Sequence, residues 1–171
     1  PSVSDSAWTT EPDGTRCDAG KICTTDACTA ACFIDGKTHT EAEINSANVC
    51  QTCTPATSTY AWTARPPGTA CATGMVCNAS SACVAGCFIN DKFYVDTAAN
   101  PANGCQYCKA SVLMTDWTNH LGASCGAGKV CTASNTCVAG CFIDGNQYAD
   151  GAVSSIFGCS RCKASVSTTT W

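Results

Sequence analysis

The residues best placed to do chemistry are the cysteines, and the tightest pairs are three C-x2-C steps at Cys50/Cys53, Cys105/Cys108 and Cys159/Cys162. Such a step serves as half of a zinc site, as a redox dithiol or as two half-cystines. A structural zinc site needs a second knuckle or histidines to complete its ligand set. Each step here has four further cysteines around it but no second knuckle, and the only histidines, His39 and His120, fall at unrelated phases. A redox dithiol draws its low thiolate pKa from a helix start, whereas these steps follow turn-forming residues and no helical period follows them. Half-cystines are the reading that stands, with no metal and no cofactor.

The chain carries 18 cysteines in 171 residues, a share that marks a disulfide scaffold. So dense an even set closes into bridges in an oxidising compartment, and the expected location is extracellular or cell-surface, by secretion. Large apolar side chains are few, so bridges must supply what a core of this size cannot. The net charge is −4 with Lys and Arg scattered, which argues against nucleic acid as a partner. Apolar runs such as Val112–Met114 fall far short of the roughly 20 residues that span a bilayer, so no membrane span is expected. The sequence opens at Pro1 without a signal peptide and reads as a mature or excised stretch.

The cysteines recur as Cys17, Cys23, Cys28, Cys32, Cys50, Cys53, then Cys71, Cys77, Cys83, Cys87, Cys105, Cys108, then Cys125, Cys131, Cys137, Cys141, Cys159, Cys162. The first cysteines of successive copies lie 54 residues apart, and within a copy the one variation in spacing is a residue fewer before Cys28. We number the six cysteines of a copy first to sixth. Trp62, Trp117 and Trp171 each follow the sixth cysteine by nine residues, and Trp8 stands at the same phase ahead of copy one. This divides the chain into 1–8, the tail of a preceding repeat, and repeats 9–62, 63–117 and 118–171. The expectation is a slice of a longer array.

Each copy has two textures. Its first half, as in GTACATGMVCNASSAC, is rich in Gly, Ser and Thr and reads as loops and short turns pinned by bridges. Its second half starts with CFIDGKTHTE, CFINDKFYVD or CFIDGNQYAD, a β-hairpin signal in which Asp35-Gly36 and Asp144-Gly145 suit a type I′ turn. The stretch from the C-x2-C step to the tryptophan reads as another extended strand. The predicted fold is small, disulfide-rich and mostly β or irregular, a tandem array of three six-cysteine modules with short β-hairpins and little or no helix. Spacing leaves the connectivity open. Pairing within repeats is favoured, because each copy has an even count.

Two segments resemble known modules. The motif G-T-x-C-x-x-G-x-V-C ending in C-V-x-G-C, from Gly68 to Cys87, resembles a segment of the cysteine-rich regions of ADAMTS-type proteins. The second half, from Cys141 to Cys162, is similar to the first subdomain of von Willebrand factor type C modules, a small bridged β-sheet. Each likeness spans about half a copy and transfers no functional residue. Both imply an extracellular role in contact with other proteins.

The remaining candidates have structural readings. One tryptophan per copy is expected to plug the core or seal the joint with the next copy. Glu41, Asp96 and Asp150 align after the hairpin, and turn chemistry accounts for them better than calcium. Asn78-Ala79-Ser80 is an N-glycosylation sequon. Thr57, Ser58 and Thr59, with Ser167, Thr168 and Thr169, are candidate O-glycosylation sites in Ser/Thr-rich stretches, so glycans are candidate partners. No nucleophile or acid–base constellation recurs, so no enzyme is expected. The functional expectation is a rigid extracellular rod, stalk or filament whose partners are neighbouring copies, with self-assembly into fibres. The alternative is an adhesive or receptor-type module for a protein or glycan, to which copy two offers Phe93, Tyr94 and Tyr107.

Overall fold

The computed structural model describes residues 10–25 and 27–171. Copy one contributes β1 (Arg16–Asp18), β2 (Lys21–Thr24), β3 (Ala27–Thr29), β4 (Ala31–Ile34), β5 (Lys37–Thr40), β6 (Gln51–Thr54) and β7 (Ser58–Ala64). Copy two follows with β8 (Ala70–Ala72), β9 (Met75–Cys77), β10 (Cys83–Ile89), β11 (Lys92–Val95), β12 (Ala99–Asn100), β13 (Asn103–Lys109) and β14 (Leu113–Asn119). Copy three has β15 (Ser124–Gly126), β16 (Lys129–Cys131), β17 (Cys137–Ile143) and β18 (Asn146–Ala149). No helix occurs among the described residues, and none is long and apolar enough to cross a membrane. The chain is a small disulfide-rich β protein of short antiparallel hairpins.

The turns behave as their residues require. Asp35 and Gly36 have φ of 51° and 74°, and Asp144 and Gly145 have 50° and 78°, so both central residues are left-handed as a type I′ turn demands. Copy two makes the same turn with Asn90 and Asp91, residue types that tolerate this region. The flanking pairs Ile34↔Lys37, Ile89↔Lys92 and Ile143↔Asn146 then fall in register.

The Gly/Ser/Thr-rich first halves are not loops but short strands, ordered β1-β2-β3 in copy one and β15-β16-β17-β18 in copy three. Small side chains do not prevent backbone pairing, and one β-branched residue per copy anchors the middle strand. These are Ile22, Val76 and Val130, all at most 1% exposed. The tryptophan strand forms as expected in β7 and β14, paired with β6 and β13. In copy three the corresponding segment is no strand, and Phe142 N–H to Thr168 O, at 2.7 Å, ties it to β17.

Contacts divide the chain into two compact units, 1–71 with 77–83 and 72–76 with 84–171. In the first, the core is Cys32, Ile34 and Cys53 with Trp62 against them. In the second, one cluster joins Cys87, Ile89, Cys108 and Ala110 to Trp117, and another joins Cys141, Ile143, Cys162 and Ala164 to Trp171. Each centre is a bridge wrapped by one isoleucine and one tryptophan. Trp62, Trp117 and Trp171 thus plug the cores of their own copies, while Trp8 and segment 1–8 lie outside the described residues.

Gly122 shows how tight the packing is: its φ is +76°, and a Cβ there would stand 2.3 Å from the Phe142 ring. Gly145 has a similar φ with nothing within 4 Å. Gly122→Ala should therefore cost about 2–3 kcal/mol, from strain plus overpacking, and Gly145→Ala only about 1 kcal/mol from strain. Denaturant midpoints of the two variants check this, and equal shifts would contradict it.

Candidate functional site: the bridged joints between copies

Eight disulfides form, and six of them stay within a copy. The first and third cysteines pair as Cys17–Cys28, Cys71–Cys83 and Cys125–Cys137, and the fourth and sixth as Cys32–Cys53, Cys87–Cys108 and Cys141–Cys162. The other two correct the expectation of pairing within repeats. Cys50–Cys77 and Cys105–Cys131 join the fifth cysteine of one copy to the second of the next. An even count per copy does not enforce internal pairing, because a uniform offset conserves it. The C-x2-C step explains the offset: three residues apart on an extended chain, its two sulfurs face different ways. The sixth cysteine turns into its own core, and the fifth turns out toward the next copy.

A fixed set of backbone bonds surrounds each crossing bridge. At the first joint, wholly within the first compact unit, Arg65 N–H donates to Cys50 O at 2.8 Å, and Arg65 Nη1 donates to Val49 O at 2.7 Å. The chain turns at Pro66, and Cys77 is bracketed by Gly68 N–H on its carbonyl and by Thr69 O on its amide, both at 2.8 Å. At the second joint, within the second unit, His120 N–H donates to Cys105 O at 2.8 Å, and Gly122 and Ala123 bracket Cys131 at 2.9 Å. Asn119 Nδ2 reaches Ala133 O at 2.8 Å, and Asn103 Nδ2 reaches Asn135 O at 3.1 Å. His120 also stacks on Tyr107, with ring centroids 4.2 Å apart.

The four crossing half-cystines Cys50, Cys77, Cys105 and Cys131 are fully buried. Beside each crossing bridge lies the next copy's first-to-third bridge. The sulfurs of Cys50, Cys71 and Cys83 lie within 4.8 Å of one another, as do those of Cys105, Cys125 and Cys137. All six atoms are bonded in cystines, whereas a metal ligand must be a thiolate. Nothing in the spacing distinguished this paired-cystine arrangement from internal pairing.

Two cysteines hold no bridge among the described residues, Cys23 and Cys159. They are the second cysteine of copy one and the fifth of copy three, the two positions that an offset pattern leaves over. Both were expected to be cystines within their repeats, and both are thiols.

The other candidates have mostly structural roles. Asp96 Oδ1 accepts Ala110 N–H, and Asp150 Oδ1 accepts Ala164 N–H, each at 2.8 Å. In copy one the partner position is Pro55, which has no N–H to give, and the acid is Glu41. His39 takes the place of Tyr94 and Tyr148 against the tryptophan, with centroids 4.5 Å apart, so it is a packing residue. Tyr94 packs on Trp117, Tyr107 stacks on His120, and the Phe93 ring lies over Gly86, so copy two's aromatics are engaged internally. Asn78 Oδ1 accepts Ser80 and Ala82 N–H. Thr59 is buried at 7% and offers no accessible acceptor for a sugar. Thr57 and Thr169 are exposed, while Ser58, Ser167 and Thr168 are half-buried.

His39 Nδ1 and the Thr40 N–H beside Glu43 hold its carboxyl below the usual glutamate value. Stability from this lowering is present above the usual value and lost as pH falls through the lowered one. An NMR titration of Glu43 should give a midpoint below the ordinary glutamate value, moving back toward it in His39→Ala.

No family model matches the chain, and no curated protein or solved structure matches it either.

The crossing bridge should matter to the joint alone. Cys50→Ser/Cys77→Ser should cost about 2–4 kcal/mol and speed amide exchange at Arg65 and Gly68, leaving Phe33 and Ile34 in the neighbouring hairpin protected. Hydrogen exchange checks it, and uniform loss of protection would contradict a local joint.

Proposed function

We propose that the chain is an extracellular structural array, a rod, stalk or filament element in which each copy is locked to the next. The observation that carries this reading is the pair of crossing bridges, Cys50–Cys77 and Cys105–Cys131. Tandem modules with only internal bridges pivot on their linkers, whereas these close a covalent ring around each linker, across 27 and 26 residues. A crosslink of that kind removes freedom that a binding module on a tether would keep. Eight disulfides call for an oxidising environment, in keeping with secretion or display at a cell surface.

One further feature favours a structural role over adhesion: the aromatics that would make a binding face in copy two are engaged within the molecule. Partners on this reading are other copies of the module, with glycans at Asn78, Thr57 or Thr169 as surface decoration.

Small-angle scattering of the oxidised chain tests the proposal. The expected result is one narrow distribution of end-to-end distance that broadens in Cys50→Ser/Cys77→Ser and in Cys105→Ser/Cys131→Ser. A broad distribution in the intact chain, unchanged by either pair of substitutions, would rule the rigid array out.

A further inference from the structure

We infer that each joint is a thiol-exchange site, at which the attack of a small monothiol on the outer cystine is passed to the buried crossing cystine through the fifth cysteine. The inference goes beyond the structural-array reading and holds whether or not the array is rigid. It concerns the two internal joints alone, each of which lies within one compact unit.

The site is built from sulfurs. At the second joint Cys105 Sγ, one half of the crossing bridge, stands within 4.8 Å of both Cys125 Sγ and Cys137 Sγ, the two halves of the neighbouring bridge. Cys50 stands in the same relation to Cys71 and Cys83 at the first joint. The same three positions, fifth, first and third, thus meet twice. The core bridges Cys87–Cys108 and Cys141–Cys162 stand in no such trio among the described residues. Access is graded across the site. Cys137 is exposed and Cys125 half-buried, whereas Cys105 and Cys131 are 0% exposed, so a thiolate from solvent meets the outer bond first.

The exchange has two steps, with a monothiol such as glutathione as the co-reactant. Its thiolate attacks Cys137 Sγ, forms a mixed disulfide there and expels the Cys125 thiolate. Cleaving the outer bond frees the Cys125 side chain to close the distance to Cys105 to the roughly 3.5 Å of a reacting pair. Cys125 then attacks Cys105 Sγ, forms a Cys105–Cys125 bond and expels the Cys131 thiolate, which takes up a proton. One thiol and two cystines become one mixed disulfide, one cystine and one thiol, so nothing is oxidised or reduced overall. At the first joint Cys83, Cys71, Cys50 and Cys77 take the same parts.

Reversal is built into the backbone. His120 N–H holds Cys105 O at 2.8 Å, and Gly122 N–H and Ala123 O hold Cys131 at 2.9 Å, bonds that the exchange leaves alone. The parted cysteines therefore stay together, and Cys131 returns the attack on Cys105 as an intramolecular step. Cys125 is expelled, attacks Cys137 Sγ and releases the small thiol. The joint is covalent throughout: the fifth cysteine is tied to the second cysteine of the next copy before exchange and to its first cysteine after it.

The test uses the full chain with Cys23→Ser and Cys159→Ser, which leaves every remaining cysteine in a bridge. It is treated with reduced glutathione at about pH 8, quenched and labelled with a maleimide at low pH in denaturant, and mapped by mass spectrometry. The expected early product carries glutathione on Cys137, a Cys105–Cys125 bond and the label on Cys131, with Cys87–Cys108 and Cys141–Cys162 intact. Adding Cys137→Ser leaves Cys125 as the one thiol. The label should then divide between Cys125 and Cys131 with no glutathione present, at a rate rising about tenfold per pH unit while the thiolate is the minor form. The inference is overturned if the crossing bridge opens with no Cys105–Cys125 bond, if the label in the Cys137→Ser chain stays wholly on Cys125 or moves to Cys105, or if it reaches the core bridges as fast as Cys131. Scattering from the untreated chain reads the rigid array separately, so either idea fails without the other.

Discussion

Everything in this molecule depends on where the fifth cysteine of each copy points. The sixth, three residues on, completes a buried bridge with the fourth, and that bridge with one isoleucine and one tryptophan is nearly all the core a copy has. With the sixth committed inward, an extended chain sends the fifth to the other side. In its own copy's first half the first and third cysteines have closed on each other. The second cysteine of the next copy is the partner left. One local geometric fact therefore links copy one to copy two and copy two to copy three by a covalent bridge.

The offset also explains the economy of the apolar core. A copy of about 54 residues with a single small cluster sits near the lower limit of what folds alone. Joining it to its neighbour adds a loop-closing crosslink without adding apolar surface. The side-by-side cystines at each joint, with three sulfurs within 4.8 Å, form a compact filling that the Gly-, Ser- and Thr-rich first halves could not provide with carbon side chains. Glycine serves the same end by allowing close approach, as at Gly128, where a Cβ would lie 3.1 Å from Ala164 O.

Much of this was legible in residue types. The period, the hairpins and their type I′ turns, the absence of helix among the described residues and the tryptophan as a core residue follow from local pattern, because each is decided within a few residues. The connectivity was not legible, since parity is blind to a uniform offset. What betrays the offset is the direction of side chains along the strand, and that depends on strand phase through the C-x2-C step, which spacing alone does not give. The first halves were read as loops because small polar residues signal turns, yet three-residue strands need only backbone pairing and one buried β-branched residue. Thr59 was read as a sugar acceptor from composition. Its inward phase on β7 is a property of the sheet, not of the Ser/Thr-rich stretch.

Departures between copies follow the same logic of compensation. Where Ala110 and Ala164 offer an N–H, an aspartate stands ready to accept it, and where Pro55 offers none, the acid is a glutamate that makes no such bond. Where copy three replaces the Asn100–Gln106 side-chain bond by Ser154 and Ser160, Ser154 Oγ instead accepts the amides of Ile156 and Phe157. The loop keeps its backbone shape while its tip turns apolar. Drift without constraint would loosen the backbone as well as the surface. The backbone bonds of this loop are the same in copies one and three, although the side chains on its tip are not.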